Sequence, residues 1–384
     1  MRAEPVVATA VSSAEATTVA SRSRLRVCLI NSIPDWGGGE RLFLELAEGL
    51  QSVGHSVTLV CRVDSALAAR AAHIRRVETM RCAGYFDVTT LRALRRCFVA
   101  TRFDAVFCNT GRDCFLAGLA ACGISTPVVR IRQLERTRRT LHSLFVHRVL
   151  LSAVVSVSRA AQNGLADLRI PTSRSFVIHN GIELQPNTID RGVARHSFQV
   201  SEDSFVVVFI GRLAKEKGAD LLPAIAERLR ARGIPLRLLI AGDGALKTEI
   251  QEQCRGADLA DVVRLLGFQE DTRPLLAAAD AAVIASRAES FGIAAVEALA
   301  AGVPLVATAV GGLSEIVTDG ETGLLVRPDD VDALAGALER LYRDGSLAMR
   351  LRERGLIRAQ DFSRTRMIAR YEEVIHTLQR NREA

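Results

Sequence analysis

The sequence predicts an α/β protein of two successive domains, each a parallel sheet with helices on both faces. Three observations lead there. The chain has 384 residues, enough for two domains that each bury a core. Short, uniformly apolar runs alternate with longer amphipathic ones, the pattern of buried strands separated by helices. That alternation ends near Asn180-Gly181 and starts again at Ser204, which implies two units rather than one long sheet.

Taken in order, residues 1–23 are rich in Ala, Ser, Thr and Val, lack the compact apolar core of a signal peptide, and read as a flexible tail. Residues 25–30 form the first strand, 31–39 a loop and 40–50 an amphipathic helix ended by Gly54. Strands follow at 55–60, 105–108, 127–131 and 153–157. In the second unit 205–210 is a strand and 211–218 a loop. The helix after it places Leu221, Leu222, Ile225, Ala226 and Leu229 on one face. Strand 235–241 runs into Gly242-Asp243-Gly244, and further strands fall at 262–266, 281–285, 304–308 and 323–326. These readings give Rossmann-like domains over 24–182 and 183–362, and a last helix, 363–384, that crosses back to the first domain. A cleft between two such domains is a usual place for a small-molecule site.

Composition removes several classes. Hydrophobic residues make up 48% and charged residues 24%, which argues against disorder through most of the chain. No run reaches the roughly 18 apolar residues of a membrane span; the nearest, 293–310, contains Glu297, Gly302 and Pro304 and reads as a buried helix followed by a strand. The eight cysteines form no Cys-x-x-Cys pair, and several sit in apolar runs such as Val27-Cys28-Leu29-Ile30. Free thiols in a reducing cytoplasm are expected, with no metal site. The first 190 residues carry 24 Lys and Arg against 15 Asp and Glu, whereas the remainder carries 26 against 28. A basic first half calls for an anionic partner, such as a membrane surface or a lipid phosphate. Nucleic acid is disfavoured by one Trp, three Tyr and no recognisable binding module.

The strongest chemical signal is Ser286-Arg-Ala-Glu289-Ser290-Phe291-Gly292-Ile293-Ala-Ala-Val-Glu297. Helix-forming residues begin at Gly292, so the free N–H groups of Phe291, Gly292 and Ile293 suit an anionic oxygen. Glu289 falls in the preceding loop and Glu297 about two turns inside the helix, so both face one cleft, toward a sugar and a nucleoside ribose. A simple helix cap would account for Glu289 but not for a carboxylate among Ala, Val and Leu, since buried carboxylates are rare without partners. The second signal is Gly211-Arg212-Leu-Ala-Lys215-Glu-Lys217-Gly218, directly after a strand. Open α/β sheets bind ligands at this edge, and Arg212 with Lys217 suits a diphosphate, the one as a fork and the other as a point charge. A solvated basic turn would look the same in isolation; the glutamates downstream favour the site. Trp36-Gly37-Gly38-Gly39-Glu40 lets backbone approach a ligand, although it is not the Gly-x-Gly-x-x-Gly of a nicotinamide site. Gly242, Gly244, the Gly267-Phe268 pair and Gly311-Gly312 each follow a strand, either lining a nucleotide pocket or punctuating loops.

Together these residues resemble the family-4 retaining glycosyltransferases of the GT-B fold. The matching landmarks are Gly37-Gly38-Gly39, Val155-Ser-Val-Ser158, Val177-Ile-His-Asn180-Gly181-Ile182, Gly211-Arg212 with Lys217-Gly218, Ala241-Gly-Asp-Gly244, Glu289 with Glu297, and Gly311-Gly312-Leu-Ser-Glu315. The resemblance runs from about residue 25 to the C-terminus and is most specific in the second domain. It implies sugar transfer from a nucleotide-sugar donor to a saccharide or lipid-linked acceptor, with retention of configuration and with neither metal nor cofactor. It also implies that Arg212 and Lys217 hold the donor diphosphate, Glu289 the sugar hydroxyls with Ser290 and the 291–293 N–H groups beside it, Glu297 the ribose, and Gly38 and Gly39 the diphosphate from the opposite domain.

Many members of that family carry a His after a first-domain strand. Here the stretch is Pro127-Val-Val-Arg130-Ile-Arg132-Gln133. Arg130 and Arg132 are therefore the acceptor-side candidates, either substituting for the His or binding an anionic acceptor. Arg136, Arg138, Arg139 and Arg148 among Leu134, Leu141, Leu144 and Phe145, with Arg92, Arg95 and Arg96 beside Leu91, Leu94 and Phe98, read as a basic amphipathic surface for anionic lipid. An ordinary solvated face is the competing reading. Two other functions fit the motifs: a sugar-nucleotide epimerase, which needs no acceptor, and a catalytically silent nucleotide-sugar-binding protein.

Overall fold

The computed structural model describes residues 23–133, 140–185 and 188–383. The expected N-terminal tail lies outside the described residues apart from Ser23, as do Leu134, Arg136, Arg138 and Arg139. Two fully parallel sheets account for the architecture. The first contains β1 (Arg26–Asn31), β2 (Ser56–Arg62), β3 (Val77–Met80), β4 (Ala105–Cys108), β5 (Val128–Arg132), β6 (Ala153–Ser156) and β7 (Ser175–Val177), in the order β3-β2-β1-β4-β5-β6-β7. The second contains β8 (Phe205–Ile210), β9 (Leu236–Ala241), β10 (Val263–Gly267), β11 (Ala281–Ile284), β12 (Leu305–Thr308) and β13 (Leu324–Val326), in the order β10-β9-β8-β11-β12-β13.

Successive residues of the central strands serve opposite faces. In β1, Leu29 joins one core while Cys28 and Ile30 join another with Val60 and Val106. This two-sided burial is why the strands read as unbroken apolar runs. The edge strands β3 and β7 were not predicted: they are short, and most of their residues are only half-buried. In each sheet the strand order reverses beside its first strand, placing crevices at the carboxyl ends of the β1/β4 and β8/β11 pairs.

The chain passes between the domains twice, and the two passages touch. Ile182 N donates to Phe362 O at 3.0 Å, and Arg364 N donates to Ile182 O at 2.8 Å. Gly181 is required here, because a β-carbon would lie 2.6 Å from Ser363 O. The final helix, Arg364–Glu383, then lies on the first-domain helix Gly38–Ser52. It buries Met367, Ile368, Tyr371, Val374, Ile375 and Leu378, and the Tyr371 ring meets Phe107 edge-on at 5.3 Å. His55 Nε2 sits 2.7 Å from Glu372 in the same interface. At roughly 1.5–3 kcal/mol for each large buried apolar side chain, this packing outweighs exposed pairs such as Arg370–Glu373, worth about 1 kcal/mol or less.

Candidate active site

At the carboxyl edge of the second sheet, the loops after β8 and β11 flank the crevice. Gly211 and Arg212 leave the sheet, and the single 3-10 turn Lys215–Lys217 directs Lys217 to the neighbouring loop. Lys217 Nζ donates to Glu289 Oε2 at 2.5 Å, with Ser286 Oγ 3.4 Å from the same oxygen. Arg212 pairs with Glu216 and stays 65% exposed. Backbone holds the loops together, since Arg287 N donates to Glu216 O at 2.9 Å. Arg287 itself clasps both oxygens of Asp220, at 2.6 and 2.8 Å, and Asp329 at 2.6 Å. The bonds to Asp220 hold its guanidinium more firmly protonated than an ordinary arginine. Arg287 is thus scaffold for the loop that carries Glu289.

Gly292 caps the helix Ile293–Ala300 at φ +111°, a conformation that strains any side chain, and a β-carbon there would meet Leu313 Cδ2 at 2.7 Å. Ser290 lies just ahead of this cap. The first N–H groups of the helix have no preceding turn to bond. Phe291 is buried, stacked on His179 at 5.8 Å and edge-on to Phe362 at 5.7 Å, so the loop is anchored to the interdomain crossing. Because the helix starts at Ile293, Glu297 lies little more than one turn inside it, closer to the N-terminus than the expected two turns. Its side chain is 9% exposed, and Arg41 of the first domain reaches it at 2.6 Å. Gly211 N bonds Ala241 O at 3.0 Å and Gly242 N bonds Gly267 O at 2.8 Å. These bonds align the three loop starts that carry Gly244 and the 55% exposed Phe268.

Across the cleft, the helix Gly38–Ser52 begins two residues earlier than expected, which puts Gly38 and Gly39 in its first turn. A β-carbon on Gly38 would lie 3.9 Å from Ile293 Cδ1, and one on Gly39 about 3.1 Å from the Gln133 amide. The latter sits in a network that sequence reasoning missed. Gln133 Nε2 donates to Asn109 Oδ1 at 3.1 Å, and Asn109 and Asn31 amides donate to Glu40 Oε1 at 3.3 and 3.2 Å. Burial pushes the Glu40 carboxyl above its usual range. Asn31 ends the apolar strand β1 and Asn109 directly follows the apolar strand β4, a strand-tip position that is the sequence signal both share. Glu315 joins the domains at a second point: it accepts the N–H groups of Arg159 and Ala160, each at 3.0 Å, and faces His179 Nε2 at 3.0 Å. Burial opposes its ionisation, but those bonds prevail and hold Glu315 below the usual carboxylate range.

The acceptor-side expectation needs correction at Arg132. Arg132 is 1% exposed, and its Nε donates to Ala161 O at 3.1 Å. Its Nη2 lies 3.5 Å from Gly164 O as well, so the side chain is buried inside the domain. Arg130 is half-buried, with Nη1 2.9 Å from His147 Nε2. The amphipathic surface is also narrower than expected: Leu94 and Phe98 are core, and Arg95 donates to Ala120 O at 2.9 Å. Among the described residues no group of three or more His, Cys, Asp or Glu is placed to hold a metal ion, and no helix is long and apolar enough to cross a membrane.

This arrangement of two Rossmann-like, parallel-sheet domains is that of the GT-B class. Residues 36–186 match the family described as Glycosyltransferase Family 4, and 190–358 match Glycosyl transferases group 1. The chain belongs to the family-4 glycosyltransferases. It is 37% identical over 164 residues to the lipopolysaccharide core biosynthesis glycosyltransferase LpsE of Rhizobium meliloti, covering 42% of this chain and 47% of that one. It is 37% identical over 208 residues to the D-inositol 3-phosphate glycosyltransferase of Pseudarthrobacter chlorophenolicus, covering 50% and 49%. The chain thus spans about half the length of these curated relatives. In fold it is similar to Anabaena Alr3699/HepE, solved with UDP and glucose, at a TM-score of 0.81 and 21% identity over 92% of this chain and 100% of that one.

Proposed function

We propose that this chain transfers a sugar from a nucleoside diphosphate sugar to a saccharide or lipid-linked acceptor, with retention of configuration and without a metal. The observation that carries this reading is the Lys217–Glu289 contact, 2.5 Å, at the tip of β8. One residue is fit for a departing diphosphate and the other for sugar hydroxyls. As the glycosidic bond breaks, negative charge grows on the diphosphate, and Arg212 and Lys217 are preorganised cations that stabilise it. The Alr3699/HepE structure with UDP and glucose supports a nucleotide-sugar donor. Names of relatives such as LpsE support a cell-envelope acceptor. The decisive experiment screens nucleotide sugars by thermal shift, then assays transfer from the hit with and without chelator, reading the product anomer by NMR. A true donor raises the melting temperature in proportion to its binding. Donor conversion with no acceptor, or an inverted product, would overturn the assignment.

The proposed setting is the cytoplasm, at an anionic membrane face. Phe86 is 90% exposed and Leu141 87%. The Tyr85–His142 ring contact, 5.0 Å, brings their two segments together on the first domain, while Arg92, Arg96 and Arg148 are exposed on the same domain. Such a mixture suits interfacial docking rather than a dry protein contact. The eight free cysteines support a reducing compartment.

A further inference from the structure

The donor side of the cleft has a charge balance that its own domain does not close. Arg212 faces Glu216 and Lys217 faces Glu289, so each cation meant for a diphosphate already has a carboxylate beside it. Glu297 is a third acid, set among buried Ala295, Val296, Ala298 and Leu299. Its cation comes from the opposite domain, where Arg41 Nη2 lies 2.6 Å from Glu297 Oε1. Arg41 is fixed in the first turn of Gly38–Ser52 by its N–H bond to Gly37 O, 3.0 Å, beside the Gly38–Ile293 approach. Its side chain is 35% exposed and borders the cleft. Without Arg41, a pyrophosphate would enter a site with two cations and three carboxylates. With it, the site is balanced.

We propose that Arg41 is a positioning residue of the donor site: by neutralising Glu297 across the cleft it removes the like-charge penalty on an incoming nucleoside diphosphate. This rests on reading the cleft as a nucleotide-sugar site. The same ion pair ties the closing of the cleft to donor entry, because the acid that faces the nucleoside and the cation that balances it belong to different domains. A half-exposed pair in an ordinary surface contributes little, but here the carboxylate is nearly buried and a second negative group must approach it, so the electrostatic consequence is larger.

The test is calorimetric titration of the full chain with UDP, GDP and ADP, taking the tightest as reference. Arg41→Ala is expected to weaken that diphosphate by about tenfold or more, and Arg41→Lys to restore most of the loss. Adding Glu297→Gln to Arg41→Ala deletes the uncompensated charge while keeping a hydrogen-bonding side chain, and is expected to bind severalfold tighter than Arg41→Ala alone. Wild-type affinity in Arg41→Ala, or no recovery in the double variant, overturns the proposal. If the wild type binds none of the three nucleotides, the donor-site reading itself falls, an outcome distinct from an unaffected Arg41→Ala.

Discussion

Arg212 and Arg132 show what side-chain identity alone conveys. Both follow or end apolar strands, and both read as charges aimed at a cleft. Arg212 sits just beyond the tip of β8 and is 65% exposed; Arg132 is the last residue of β5 and is sealed against Ala161 O, where burial pushes its guanidinium down to about 10. The difference comes from a helix start at Arg159 whose carbonyls happen to lie within reach, a long-range fact with no local signature. Arg212→Ala is expected to reduce turnover by roughly 10²–10³, the usual loss for one preorganised donor to a developing anion. Steady-state kinetics with saturating donor checks this, and turnover within a few-fold of wild type would remove Arg212 from its role.

Among elements, periodicity located the central strands because they are apolar on both faces, and it also found the edge strands β10 and β13, whereas β3 (Val-Glu-Thr-Met) and β7 (Ser-Phe-Val) are too short and too mixed in polarity to stand out. The segment after Thr140 holds a helix, Leu141–Phe145, continued by a π turn, Val146–Leu150. It places His147 Nδ1 2.7 Å from Ser143 O, so Nδ1–H donates and Nε2 accepts from Arg130. Burial, with Arg130 adding to it, lowers His147 from 6.5 to about 4. The neutral ring is therefore the folded form: its contribution is complete above pH 6.5 and fades as the unfolded chain takes up a proton that the folded one refuses. Stability is expected to fall by up to about 1.4 kcal/mol per pH unit from this group between about pH 6.5 and pH 4. His147→Gln should flatten that slope in denaturant titrations at several pH values; an unchanged slope would rule His147 out as its source.

At the scale of the whole molecule, the two domains are joined at the Ile182/Ser363 crossing, at the Glu315 clasp on Arg159, Ala160 and His179, and at the Arg41–Glu297 pair. The first domain also presents the Phe86 and Leu141 patch with its arginines. Vesicles containing phosphatidylglycerol are expected to co-sediment the chain at low salt, and neutral phosphatidylcholine vesicles to do so far less. Leu141→Glu combined with Phe86→Glu should abolish the preference, while equal binding to both vesicles would discard the membrane surface.

By itself the sequence determined the two parallel-sheet domains, the break between them, and the strand-tip loops of Arg212, Lys217 and Glu289, because buried strands and glycine-bounded turns are local patterns. Tertiary structure alone decided which charges meet. Arg41 and Glu297, or Glu315 and the 159–160 N–H groups, lie far apart along the chain, and only the packing of one domain on the other gives each of these two carboxylates its partner.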